Sequence, residues 1–172
     1  IDHERLKKLS NENILAMVCD STNVLVEGTS GSEEDVIKPL TNIIKESKGR
    51  VFVSTFASNV TRLNTLAKIG LSLGRKVALV GQSMWRMTEI AKACGYLSNL
   101  PSFVSERDIK NFDKDKILII CTGSQGEPRG ALNRIAHGTH RDVSISNEDT
   151  VIFSSRVIPG NEVSISEMQN KL

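Results

Sequence analysis

Aromatic residues make up only 4% of these 172 residues. The core must therefore be aliphatic, and a surface that holds single-stranded RNA by base stacking alone is disfavoured. Charge of one sign is lacking too: 22 Lys and Arg against 20 Asp and Glu leave +2, too mild a balance to mark a nucleic-acid binder by itself. The cysteines, Cys19, Cys94 and Cys121, are odd in number and far apart, with no Cys-x-x-Cys pair for a zinc knuckle or redox motif. Cys19 and Cys121 each end an apolar run and read as buried reduced thiols, which places the protein in a reducing cytoplasm. No apolar run approaches the length of a membrane span, and no signal peptide is present, so a membrane is not an expected partner. The chain starts without Met and ends in a helical pattern, as expected of a piece of a longer protein.

Catalytic signatures are also missing. There is no Walker loop, no Gly-x-Gly-x-x-Gly after the first apolar run and no Gly-x-Ser-x-Gly elbow. The histidines are His3, His137 and His140. The last two have a spacing that a pair of helical metal ligands could use, but Gly138 and Thr139 mark a helix end, so a solvated or C-capping pair is the expectation. No His-x-His-x-Asp-His cluster occurs, so no metal site is expected within the chain.

What is present is alternation. Short apolar runs at Ile14–Cys19, Val51–Thr55, Val77–Val80, Ile117–Cys121 and Val151–Phe153 look like strands buried on both faces of a parallel sheet. Between them lie helical stripes. Val36, Ile37, Leu40, Ile43 and Ile44 form one, opened by a Ser32/Asp35 capping box, with Pro39 kinking it or delaying its start. A second runs from Val60 to Leu73 and stops at Gly74; a third uses Met87, Ile90, Ala91 and Cys94 and stops at Gly95. Ala131, Leu132, Ile135 and Ala136 form a fourth, and Val163–Leu172 a fifth. A short helix is expected from Glu106, and a brief edge strand at Val143–Ile145. The pattern predicts one α/β domain over residues 1–172: a doubly wound, mostly parallel, Rossmann-like sheet of about five or six strands with helices on both faces.

In such a sheet ligands bind at the carboxyl ends of the strands. Those ends share hydroxyl and amide residues: Asp20-Ser21-Thr22-Asn23, Phe56-Ala57-Ser58-Asn59, Gly81-Gln82-Ser83, Thr122-Gly123-Ser124-Gln125-Gly126-Glu127 and Ser154-Ser155. Each alone is an ordinary helix cap. Gathered on one edge, with free backbone N–H groups, they make a surface for phosphate or a nucleotide chain.

Taken together, Cys19-Asp20-Ser21-Thr22-Asn23, Gly31-Ser32-Glu33, Thr55-Phe56-Ala57-Ser58-Asn59, Gly123-Ser124-Gln125-Gly126-Glu127-Pro128 and Ile158-Pro159-Gly160-Asn161-Glu162 resemble ribonuclease J, in that family's order and spacing. The resemblance covers essentially the whole chain and implies the β-CASP domain of a metallo-β-lactamase-type ribonuclease. It implies RNA as partner and degradation from 5′-monophosphate ends together with internal cleavage. Two zinc or manganese ions would be bound outside this chain, by a longer enzyme that forms homo-oligomers. By the same resemblance Asp20 faces the catalytic cleft and positions a histidine from elsewhere. Ser58, with Asn59 beside it, belongs to a 5′-phosphate pocket, and Ser124, Gln125 and Glu127 form a loop near the RNA path. Thr61 stands where many relatives have His. The isolated piece is expected to be inactive. A non-catalytic nucleotide- or RNA-binding Rossmann-like module is the alternative.

Overall fold

The computed structural model describes residues 2–21, 24–28 and 31–172. The chain divides into two compact units, Ile1–Gly31 and Ser32–Leu172.

In the first unit, Asp2 caps helix α1 (His3–Leu9) by accepting from the Arg5 amide at 3.0 Å. Residues 13–20 follow without regular structure. The expected strand Ile14–Cys19 is therefore not formed. Leu15 and Val18 are fully exposed and Met17 nearly so. Cys19 is likewise exposed rather than buried. An apolar, β-branched run becomes a strand only when another strand satisfies its backbone, and among the described residues none pairs with this one. Thr22 and Asn23, which complete the first of the motifs, lie outside the described residues.

The second unit holds a four-stranded sheet, all parallel, in the order β2-β3-β1-β4. The strands are β1 (Val51–Ser54), β2 (Lys76–Val80), β3 (Ile117–Cys121) and β4 (Thr150–Phe153). Every residue of β1 and β3 is buried, which is why both read as unbroken apolar runs. Edge strand β2 is covered by Val104, whose amide donates to Val77 O at 2.8 Å and whose carbonyl accepts from Leu79. Val143–Ile145 forms no strand. Val143 is buried and Ile145 packs against the same core, so these side chains seal one face without adding to the sheet.

Helices α2 (Ile37–Glu46), α3 (Val60–Ser72) and α4 (Gln82–Ala93) supply Leu40, Ile44, Leu63, Leu66, Met84 and Ala91 to one core. Helices α5 (Ala131–Ala136) and α6 (Glu162–Gln169) supply Leu132, Ile135 and Met168 to the core on the opposite face. The Ser32/Asp35 capping box is present, on a single 3-10 turn, and the α-helix begins only at Ile37. Pro39 thus falls in the first α-helical turn, where its missing N–H costs nothing. A short 3-10 helix starts at Glu106 as expected. Helix α4 differs in face: it buries Met84, Thr88 and Ala91, while Ile90 is 49% exposed and Cys94 is exposed. The Thr88 hydroxyl donates to Met84 O at 2.8 Å, so a polar residue sits in the core with its donor satisfied and the hydrophobic pattern is off by a position. Trp85 packs against the core and donates its indole N–H to Leu79 O at 3.1 Å.

Candidate functional site at the carboxyl edge of the sheet

All four strands of the second unit run the same way, so the residues that follow them share one edge. Ser58 follows β1, Ser83 follows β2, Ser124 follows β3 and Ser155 follows β4. Asp20 belongs to the first unit, where it is exposed.

At the end of β1 the chain turns into α3. Asn59 is the N-cap, and its Oδ1 accepts from the Arg62 amide at 2.9 Å. The Val60 amide donates to Ser58 O and the Leu63 amide to Asn59 O. The exposed Ser58 hydroxyl and the Thr61 amide have no hydrogen-bond partner among the described residues. A hydroxyl and a free amide at a helix N-terminus are a pair of donors for an anion.

Arg62, which sequence reasoning missed, anchors this turn. Its guanidinium makes a two-pronged ion pair with Glu33, closing Nη2–Oε2 at 3.0 Å, and Nη1 donates to Ser154 Oγ at 2.6 Å and Ser154 O at 3.1 Å. The pair locks the head of α3 to the segment before α2 and to the end of β4. No local motif marks it, since Glu33 and Ser154 are remote in sequence.

The loop after β3 is a clasp. Gln125 is 4% exposed, and its side chain is fully used. Nε2 donates to Arg156 O at 2.9 Å and Ser155 Oγ at 3.3 Å, while Oε1 accepts from the Ile158 amide at 2.8 Å and Asn161 Nδ2 at 3.2 Å. Glu127 is exposed, and its Oε2 accepts from the Gln125 amide at 2.9 Å. Gly126 has φ +72°, and a Cβ there would lie 2.6 Å from the Ser164 carbonyl, so only glycine lets this loop lie against α6. Gln125 thus joins the ends of β3 and β4.

Three hydroxyls at this edge, Ser54, Thr55 and Ser124, are buried without a hydrogen-bond partner among the described residues. An unpaired buried polar group costs about 1–3 kcal/mol, so each of them calls for an explanation. Cys121, beside them at the end of β3, is buried, and burial pushes its thiol up to about 12, leaving it an inert packing group.

The two histidines of the 137–140 segment separate. His137 caps α5 and is exposed, with Nδ1 at 2.9 Å from Asn133 O. His140 is not solvated: its side chain is 3% exposed. Among the described residues no three His, Cys, Asp or Glu side chains come together as a metal-binding group. No helix among them is long and apolar enough to cross a membrane.

Residues 48–172 match the family model described as the β-CASP domain of ribonuclease J. Over 171 residues the chain is 44% identical to ribonuclease J of Sinorhizobium meliloti, covering 99% of this chain and 30% of that protein. It is 40% identical to ribonuclease J of Mycoplasma pneumoniae, over 100% of this chain and 30% of that protein. The Helicobacter pylori protein of the same name is 38% identical, over 99% of this chain and 25% of its own length. The chain thus spans between a quarter and a third of these relatives. With a parallel α/β sheet, the hydroxyl-lined carboxyl edge and this breadth of identity, the chain belongs to the ribonuclease J family, with residues 48–172 matching its β-CASP domain.

Proposed function

We propose that this chain is the RNA-gripping part of a longer, metal-dependent cytoplasmic ribonuclease that degrades RNA from 5′-monophosphate ends and also cuts internally. The observation that carries the reading is the state of the carboxyl edge: buried hydroxyls without partners on Thr55 and Ser124, and free donors on Ser58 and Thr61, among the described residues. Those residues do not fit a dinuclear metal centre. The two zinc or manganese ions are proposed to lie in other parts of the longer enzyme. Homo-oligomerisation is likewise a property proposed for the longer enzyme.

Ser58 and the head of α3 receive the 5′-phosphate, with Asn59 holding the turn in shape. A terminal monophosphate carries more negative charge than an internal phosphodiester, so donors at a helix N-terminus favour it. Ser124 faces the RNA path, while Gln125 and Glu127 keep its loop in register. Asp20 contributes a carboxylate toward the catalytic centre of the longer enzyme and acts by orienting a histidine there.

Ser58→Ala in the full-length enzyme tests the reading. One charge-assisted hydrogen bond is worth about 1.5–3 kcal/mol, so exonucleolytic processing of 5′-monophosphorylated RNA should fall roughly ten- to a hundredfold. Internal cleavage should be unaffected. Equal slowing of both activities, or of neither, makes Ser58 part of the turn and nothing more. The 172-residue chain alone, given Zn²⁺ or Mn²⁺, should cleave no RNA, and chelator-sensitive cleavage would overturn that assignment.

A further inference from the structure

A cavity of about 580 Å³ opens at the carboxyl edge between β2 and β3. Its place follows from the winding of the chain. Helix α4, after β2, packs on one face of the sheet, and α5, after β3, packs on the other. Neighbouring strands thus send the chain in opposite directions and leave a crevice, the position at which open α/β sheets take ligands. The volume falls in the range of small-ligand sites, roughly 300–1,000 Å³.

Its lining is polar and unevenly charged. Arg129 and Arg134 both line it, both are exposed, and neither guanidinium has an ion-pair or hydrogen-bond partner among the described residues. Glu106 is the carboxylate of the cavity, and it is tied down, with Oε1 accepting from the Gly81 amide at 2.8 Å. One carboxylate does not neutralise two guanidinium groups.

His140 supplies a second, independent sign of a ligand. Its Nδ1 accepts from the amides of Asp142 and Val143 at 3.4 and 3.3 Å, which places the proton of the neutral ring on Nε2. The acceptor facing Nε2 is Glu106 Oε2 at 3.7 Å, beyond hydrogen-bond reach. A nearly buried N–H donor therefore borders the cavity without a hydrogen bond among the described residues. Desolvation holds the ring below its usual pKa, against the opposing pull of Glu106, so at neutral pH it is a neutral donor. Ser83, in the first turn of the twelve-residue α4, adds an exposed hydroxyl.

We infer that this crevice binds a phosphate group through Arg129, Arg134, the His140 Nε2–H and Ser83. Guanidinium groups suit this ligand because their donors match phosphate oxygens in pairs. The crevice is distinct from the proposed Ser58 pocket: Ser58 follows β1, which β3 separates from β2. The phosphate comes either from the RNA chain downstream of its 5′ end or from a free mononucleotide.

The test uses the full-length protein and two ligands. One is a fluorescein-labelled octaribonucleotide with a 5′-hydroxyl end, which offers no terminal phosphate to Ser58; the other is AMP. The variants are Arg129→Ala/Arg134→Ala and Ser83→Glu, the second of which places a carboxylate at the mouth of the crevice. Both should weaken binding of the ligand that uses the crevice by about tenfold or more. For the RNA, the salt dependence should flatten by about 0.7 in slope for each phosphate that is no longer neutralised. Weakening confined to the octaribonucleotide assigns the phosphate to the RNA chain, and weakening confined to AMP assigns it to a free nucleotide. The octaribonucleotide offers Ser58 no 5′-phosphate, so its result stands or falls separately from the 5′-phosphate reading. Ser83→Glu decides the matter if the double variant does not fold. Wild-type affinity for both ligands in a folded Ser83→Glu protein overturns the inference, as does failure of the wild type to bind either ligand.

Discussion

The two edges of the sheet are built from the same residue types to opposite ends. At the amino edge the buried charges are hydrogen-bonded within the fold. Arg75, 5% exposed, donates to the carbonyls of Ser47 at 2.6 Å and Gly49 at 2.8 Å, and to those of Ile44 and Ile117 at 3.3 Å. Arg50 meets Asp149 with Nε at 3.1 Å and Nη2 at 2.6 Å, and Asp149 also accepts from the Ser146 amide and hydroxyl. At the carboxyl edge, buried hydroxyls lack partners, and Arg129 and Arg134 lack counter-ions, among the described residues. The difference teaches where stability ends and the proposed binding begins: one edge is closed by its own side chains, and the other leaves donors unpaired among the described residues, where we propose that an anion binds.

Substitutions at the two edges should therefore fail differently. The largest stability effect is expected from Arg75→Ala, which strips a shared donor from four backbone carbonyls beneath the sheet. A loss of about 3 kcal/mol is expected in urea unfolding, with RNA affinity of the folded protein unchanged. Stability within about 0.5 kcal/mol of wild type would show that water replaces the guanidinium easily.

A smaller effect is expected at Asp149, and it depends on pH. Burial acts to raise its pKa, but the hydrogen bonds from Arg50 and Ser146 outweigh it and hold the carboxyl below its usual value. A carboxylate with a depressed folded pKa stabilises the fold fully above its unfolded pKa, about 3.9. That contribution is lost as pH falls through the folded value. Asp149→Asn should lower stability at neutral pH and flatten the acid limb of the stability curve. An unchanged acid limb would show that the Arg50 pair contributes nothing to acid stability.

The smallest stability change is expected from Ser124→Ala. Removing a buried hydroxyl that has no partner should shift unfolding by less than about 0.5 kcal/mol, or stabilise slightly, while RNA turnover in the full-length enzyme falls. A large loss of stability would show that the hydroxyl has a structural partner and that the two edges differ less than their hydrogen bonding suggests.

The same contrast explains what was legible in the sequence. Strands β1 and β3 are buried on both faces and announce themselves as unbroken apolar runs, and the Ser32/Asp35 box marks its turn because capping is local. The carboxyl-edge serines were legible because loops that follow parallel strands must share an edge. Ile14–Cys19 has the same composition as those strands but forms none, because strand formation needs a neighbour that composition cannot display. The Arg50–Asp149 and Arg62–Glu33 pairs join residues far apart in sequence, and the burial of His140 depends on packing around residues 140–143. No local pattern encodes any of these.

The central claim is that RNA meets the carboxyl edge. The amino edge is the natural competitor, since Lys45, Lys48, Lys114 and Lys116 lie there and charge alone would favour it. Photocrosslinking of the full-length protein to RNA carrying 4-thiouridine, followed by mapping of the linked peptides, separates the two directly. The predicted result is crosslinks within residues 56–59, 82–86 and 122–134 and none within 44–50 or 114–117. Crosslinks concentrated on the lysines of the amino edge, with the carboxyl loops unlabelled, would contradict it.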